Sequence, residues 1–213
     1  MAWTTAVVGF LLAVPLWGFT KWSITSAHEG AHAAAGVMSG QKVTGVTFTA
    51  GGGGSTGFPP KMPWLADLII TLVGYLGPSA VGLGGVFLLL RGQVDMVLWI
   101  SVVLLALLLI KMRNPLSIIS AIGTGFVLYW VARYWGDSAQ LGFTYAWVWF
   151  LLMGGTRQIP DLFWAMKHGD TSSDAAVLQR LTFLPDVFWL AVFWLAALAA
   201  LVYGGSLLLR QPV

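Results

Sequence analysis

The sequence contains no cysteine and is poor in charged residues of either sign. Without cysteine, disulfide bonds and thiolate metal sites are excluded, so any metal must be bound by His, Asp or Glu. Only 9% of the 213 residues are charged and 58% are hydrophobic, whereas a soluble domain carries about 25% charged residues. The net charge of +3 is small and spread along the chain, which argues against a nucleic-acid partner. The composition therefore indicates a protein embedded in a lipid bilayer.

Long apolar runs follow one another along the whole chain. A helix that crosses a bilayer needs about 20 predominantly apolar residues. The sequence therefore predicts an all-α polytopic membrane protein of about six transmembrane helices, organised as a single domain over residues 1–213. The first predicted span begins at residue 3, and the helix can extend beyond residue 20 as far as residue 37. The predicted spans are residues 3–20, 64–90, 94–110, 115–134, 139–153 and 187–208.

Lys and Arg are distributed unevenly between the two sides that six spans would create. The first, third and fifth loops contain eight of them: Lys21, Lys42, Lys61, Lys111, Arg113, Arg157, Lys167 and Arg180. The opposite side contains three: Arg91, Arg133 and Arg210. Because cytoplasmic loops carry an excess of basic residues, this pattern predicts that the first, third and fifth loops face the cytoplasm.

The motif "HEGAH" combines the only glutamate of the chain with two of its three histidines. On a helix, His28 and His32 are four residues apart and project from one face, so both imidazoles can reach one metal ion. Glu29 is rotated away from that face and can act as a general base toward water that the metal activates. Zinc is the commonest ion for this motif, although iron, cobalt and manganese also accept such ligands. The simpler alternative is a pair of buried polar residues that bond neighbouring helices.

A catalytic zinc site has three protein ligands and one open position, so a third ligand must come from elsewhere in the chain. The residues alone leave this ligand open. The candidates are Asp67, Asp161, Asp170, Asp174, Asp186 and His168. Asp174 also has a simpler interpretation as a helix cap, and Asp161, directly after Pro160, as an acid in the first turn of a helix.

Through this histidine motif, the chain resembles the site-2 proteases, which are intramembrane zinc metalloproteases. The resemblance is greatest to their bacterial M50B-like branch. The resemblance covers nearly the full length. It depends mainly on "HEGAH", and further on "GYLGPSA" in the second span, on the pair Arg113 and Asn114, and on "SSDAAVLQRL". The residue after the aspartate in the last segment is Ala175, where the family has glycine.

The resemblance implies an intramembrane zinc metalloprotease of the bacterial cell membrane. Zn²⁺ would be bound by His28, His32 and Asp174, with Glu29 as the catalytic base, and the site would lie toward the cytoplasmic side. The substrates would be membrane proteins with a segment in which the helix is easily unwound. Their identity and the oligomeric state do not follow from the sequence.

The loop after the first span contains a segment that can bind such a substrate. Residues 46–49 alternate between apolar and polar, which predicts a short strand, and a substrate can add to a strand edge as an extended chain. Val46 and Phe48 are therefore candidate substrate-binding residues, and the alternative is a flexible glycine loop with no role in binding. Asn114 is predicted first as a helix cap before Pro115, and in a second role as an amide that orients the substrate.

Two other functions are compatible with the histidine motif. One is a non-proteolytic membrane protein that binds metal, or a scaffold that binds a partner helix; neither needs Glu29 as a base. The other is a metal-ion transporter, which needs ionisable residues along a pore. The third to sixth predicted spans contain almost none, which argues against transport.

Overall fold

A computed structural model describes residues 2–210, and within them the chain is almost entirely helical. This confirms the predicted all-α membrane fold with a short strand after the first helical region. The helices are α1 (Ala2–Ala13), α2 (Trp17–Met38), α3 (Trp64–Leu90), α4 (Val94–Leu109), α5 (Pro115–Tyr134), α6 (Asp137–Lys167), α7 (Asp174–Thr182) and α8 (Asp186–Leu209). Strands β1 (Gly45–Phe48) and β2 (Gly54–Gly57) form an antiparallel hairpin between α2 and α3.

The first predicted helix is broken, because α1 and α2 meet at an angle of 95°. Pro15 lies in the break. A proline has no backbone N–H to donate, and its ring clashes with the carbonyl four residues earlier, so a proline kinks or breaks a helix, and here the helix breaks. The helix that contains the histidine motif therefore begins at Trp17 and is directed independently of α1.

The structure supports fewer complete spans than the six predicted. Helices α3, α5 and α8 are long and apolar enough to cross a membrane, and α1 with α2 makes a fourth span if the bent pair counts as one. Helix α4 is largely apolar but has only 16 residues, fewer than the roughly 20 that a bilayer requires. The count of about six is therefore not confirmed within the described residues.

Helix α6 extends well beyond the predicted fifth span. It has 31 residues and includes Pro160, so it is about 46 Å long, compared with a hydrocarbon core of about 30 Å. Asp161 consequently lies inside α6, whereas the sequence suggested that it lies in the first turn of a helix. There it forms an ion pair of 2.9 Å with Arg157 one turn earlier.

Helix α3 lies at the centre of the fold, against α2, α6 and α8. Its close approach to α2 depends on Gly77, where a Cβ atom would lie 2.6 Å from the Cβ of Ala31. Small residues of this kind allow helix backbones to pack tightly in membranes. The interface brings α3 directly against the helix of the histidine motif.

The hairpin is fixed to the rest of the fold through β1. Val46 donates a backbone hydrogen bond of 2.8 Å to Lys111 and accepts one of 2.9 Å from Arg113, so the segment between α4 and α5 pairs with β1 on the side opposite β2. Val46 and Phe48 are buried against Leu108 of α4. Two paired sides and an apolar face leave β1 little freedom to move.

Helix α7 is short but well packed. Ala175 and Leu178 are fully buried, together with Leu162 of α6 and Phe193 of α8. The left-handed backbone of Phe183 ends the helix. This packing fixes the first residue of α7, Asp174, relative to the centre of the fold.

Candidate metal centre

Three side chains from two helices converge on one point. The Nε2 atoms of His28 and His32 are 3.1 Å apart. The Oδ2 atom of Asp174 is 3.3 Å from the first and 3.2 Å from the second. All three side chains are largely buried, with exposed fractions between 8% and 17%. Together they form a group that could hold a metal ion.

The two histidines are oriented by their positions on α2, and His32 is also oriented by a hydrogen bond to α3. Their four-residue spacing on α2 puts both rings on the face toward α3. The Nδ1 atom of His32 is 2.7 Å from the backbone oxygen of Ile70 on α3. Because a carbonyl oxygen only accepts, Nδ1 carries the proton of that bond, and Nε2 of the neutral ring presents its lone pair to the cluster. The ring of Tyr75 packs edge-on against His28 at 4.5 Å between centroids.

Asp174 is the first residue of α7. Ser173 occupies the N-cap position, so the cap that the sequence allowed for Asp174 belongs to its neighbour. Burial would raise the pKa of the Asp174 carboxyl, but when no metal is bound and the imidazoles carry a proton on Nε2, attraction to His32 and hydrogen bonds with both imidazoles outweigh burial and hold the pKa below its usual range. The carboxyl is therefore ionised, which is the form that binds a metal.

The dimensions of this triangle match a tetrahedral zinc site. Nitrogen and oxygen ligands lie about 2.0–2.1 Å from zinc, which separates tetrahedral ligands by about 3.3 Å. The observed edges of 3.1–3.3 Å agree with that value. Apart from the two imidazoles it faces, Oδ2 of Asp174 has no hydrogen-bond partner among the described residues. Three converging donor atoms need either shared protons or a cation between them, and a metal ion takes the place of such protons when it binds. This donor set therefore fits zinc with one position open.

Gly74 on α3 makes room for this cluster. A Cβ atom there would collide with the His32 imidazole and would lie 2.7 Å from Oδ2 of Asp174. At Gly74 the space is filled by two ligand side chains and not by a neighbouring backbone.

Glu29 lies beside the cluster and is almost completely buried, with 2% of its surface exposed. Its Oε2 atom accepts a hydrogen bond of 2.6 Å from Thr56 of β2. Glu29, the three cluster residues and Thr56 line one cavity of about 520 Å³. A buried carboxylate and three candidate ligands thus face a common space large enough for a segment of peptide.

The other candidate ligands lie away from the cluster. Asp161 accepts hydrogen bonds from Trp17 and Arg157, and His168 is exposed, with Nδ1 bonded to the backbone of Trp164. Asp170 accepts from the backbone and hydroxyl of Ser172. Asp67 and Asp186 are first-turn acids of α3 and α8. Of the six candidates, the structure brings only Asp174 to the two histidines within residues 2–210.

The structure confirms that Asn114 caps α5, and it places Val46, Phe48 and the Asn114 side chain within the fold. Val46 and Phe48 are buried side chains of a strand that is paired on both sides. The side chain of Asn114 donates to the carbonyl of Phe48 and accepts from its N–H, and it also caps α5. These groups are occupied by the fold, because the segment between α4 and α5 completes the sheet beside β1. Within the described chain, the unpaired side of the hairpin is the outer side of β2.

Sequence reasoning missed the contacts that Thr56, Gly54, Gly74 and Tyr75 make in this site. Each is an ordinary residue type in its segment, and no spacing rule connects it to the histidine motif. The available signal was the alternation of Gly54 and Thr56 on one side of a strand, which becomes meaningful only when the hairpin is seen to lie against α2.

Comparison with known proteins identifies the family. The sequence model of the family described as Peptidase M50B-like matches residues 1–204 of the chain. Searches among curated proteins and among solved structures find no significant match. Since the match covers nearly the whole chain and includes every residue of the cluster, the chain belongs to the Peptidase M50B-like family, whose members are membrane metalloproteases.

Proposed function

We propose that this protein is an intramembrane zinc metalloprotease that hydrolyses peptide bonds of membrane-embedded proteins. His28, His32 and Asp174 hold the zinc ion, and Glu29 is the general base. The observation that supports this most is the convergence of two imidazoles and one carboxylate beside a buried glutamate in a single cavity.

The chemistry divides between the ion and the chain. A bound zinc ion would supply a Lewis acid that lowers the pKa of a coordinated water toward about 7. Glu29 accepts a proton from the attacking water, because its carboxylate lines the same cavity as the ligands. The low exposure of the site limits the access of bulk water, so the water that reacts is one that the site itself positions. A protein that binds metal without hydrolysis would share the ligands but would not need this base.

Removing the metal tests this proposal directly. We expect the purified protein in liposomes to cleave a membrane-embedded peptide whose helix is interrupted by glycine and proline. A zinc chelator should abolish cleavage, and added zinc should restore it, because three protein ligands alone have no means of activating water. The measurement is the amount of product, identified by mass spectrometry. Cleavage that persists after complete removal of metal would refute the metalloprotease proposal.

We further propose that the site lies toward the cytoplasmic side of a bacterial cell membrane. This orientation is supported by basic residues around the site: Lys21 near the start of α2, and Lys42 and Lys61 in the connection from α2 to α3. The natural absence of cysteine allows a test with single introduced cysteines. Gly51 and Gly136 suit it, because an added side chain at either meets no atom within 4 Å.

A membrane-impermeant maleimide should label Gly51→Cys only in inside-out vesicles. Gly136→Cys lies before α6, on the opposite predicted side, so it should be labelled only in intact cells. The measurement is the labelled fraction of each variant in each preparation. The reverse pattern would overturn the orientation without affecting the proposed chemistry.

A further inference from the structure

The carboxylate of Glu29 is held by a residue outside its own helix. Thr56 Oγ1 on β2 donates a hydrogen bond of 2.6 Å to Oε2 of Glu29 and lies 3.2 Å from the backbone oxygen of the same residue. A short bond from a hydroxyl to a carboxylate is charge-assisted and stronger than a neutral one. Because Glu29 is only 2% exposed, little water competes for this contact.

The register of the hairpin explains why this face of β2 fits the glutamate. Gly54 pairs with Phe48 and Thr56 with Val46. Alternate residues of a strand share a face, so Gly54 and Thr56 lie on the same side as the two buried residues of β1. A Cβ atom at Gly54 would lie 2.5 Å from Oε1 of Glu29. Strand β2 thus leaves space for the carboxylate at Gly54 and donates a hydrogen bond to it from Thr56, two residues later.

The hairpin is a firm support for this contact. Its first strand is bonded to Lys111 and Arg113 on the side away from β2, and Asn114 bonds the backbone of Phe48 in both directions. The position of Thr56 is therefore set by the connection between α4 and α5. Glu29 is oriented by a part of the chain remote from the histidine motif.

We propose that Thr56 is a positioning residue for the general base, and that Gly54 provides the space in which the base is held. The Thr56 hydroxyl donates a hydrogen bond to Oε2 and thereby fixes the rotamer of Glu29. No other hydrogen bond to this carboxylate is formed by the described residues, so Oε1 is left to accept the proton from water. This inference rests on the proposed proteolytic function and adds a residue that the histidine motif does not contain.

Kinetics of two threonine variants test the proposal. Thr56→Val keeps the side-chain shape and removes the hydroxyl, and we expect kcat to fall about 10- to 100-fold, the usual effect of losing a residue that orients a metal-site group. The KM and the zinc content should remain as in the wild type. Thr56→Ser keeps the donor and should retain kcat within about threefold, by the same reasoning. Gly54→Ala should reduce kcat as Thr56→Val does, whereas Gly51→Ala, whose added methyl group meets no atom within 4 Å, should not.

A spectroscopic test works on metal-free protein and does not depend on activity. Glu29 is the only glutamate in the chain, so glutamate with ¹³C at the side-chain carboxyl carbon, supplied in cell-free synthesis, labels a single carboxyl group. Its ¹³C resonance should move by more than one linewidth in Thr56→Val and remain in place in Thr56→Ser. Glu29→Gln, which should lack the resonance, confirms the assignment.

The two tests separate the possible outcomes. An unchanged kcat and an unchanged resonance in Thr56→Val would overturn the positioning role. Equal losses of kcat and zinc in Thr56→Val and Thr56→Ser would also overturn it, because Thr56 would then only support the fold. If Glu29→Gln stayed fully active, the proposed function would fail, while the resonance would still report whether Thr56 holds the carboxylate.

Discussion

Glu29→Gln is expected to abolish peptide hydrolysis while zinc remains bound. Glutamine has nearly the same shape, and its amide oxygen can still accept the Thr56 hydroxyl that Oε2 accepts in the wild type. It cannot take a proton from water at neutral pH. Loss of a general base lowers the rate by about 10²- to 10⁴-fold. The measurement is kcat on a membrane-embedded peptide beside the zinc content of the same preparation.

The matched control for Glu29 is another carboxylate that lines the same cavity. Asp161 does so, but its two oxygens accept hydrogen bonds from Trp17 and Arg157. Asp161→Asn should therefore keep most of the activity. An active Glu29→Gln protein would show that the glutamate is not the base and would favour a membrane protein that binds metal for another purpose.

Asp174→Ala is expected to reduce zinc binding from one ion per chain to none in the purified protein. Two imidazoles remain, but catalytic zinc sites use three protein ligands, and removal of a ligand should weaken binding by at least about 100-fold. A ligand at 100 times its dissociation constant stabilises a protein by about 2.7 kcal/mol. Added zinc should therefore raise the unfolding temperature of the wild type and leave that of Asp174→Ala unchanged.

Variants at Asp161 and at two glycines of α3 test whether the loss of zinc is specific to residues of the cluster. Asp161→Ala should keep the zinc, because Asp161 is outside the cluster. Gly74→Ala adds a methyl group against His32 and Asp174 and should weaken zinc binding, whereas Gly84→Ala on the same helix meets no atom within 4 Å and should not. Zinc retained in Asp174→Ala, or equal zinc affinity in the two glycine variants, would contradict the proposed ligand set.

The histidine motif could be recognised from the sequence because its geometry is local. Residues four apart on a helix share a face whatever surrounds them, so His28 and His32 were assigned without knowledge of the fold. The third ligand is different. Residues alone left six candidates open, and resemblance to a family favoured Asp174. The structure brings Asp174 to both histidines because α7 is packed between α3 and α8.

The hairpin shows a limit of the same reasoning. Alternation predicted a strand at residues 46–49, and β1 is found at Gly45–Phe48. The same alternation made Val46 and Phe48 candidates for substrate contact, yet the structure buries both side chains. A local pattern reports that one face of a strand is apolar, but it does not report which neighbour pairs with each edge. That neighbour is the segment before α5, more than 60 positions away along the chain.

The sequence by itself determined the membrane environment, the helical class and the pair of histidines with its adjacent glutamate. Each of these depends on composition or on spacing within one helix. The tertiary structure decided which of the six candidate ligands reaches both histidines and which residue holds Glu29. These features depend on contacts between segments far apart in the chain, such as Thr56 with Glu29 and Gly74 with Asp174. Such contacts are set by the packing of α2, α3, α7 and the hairpin together, and no periodicity within one segment encodes them.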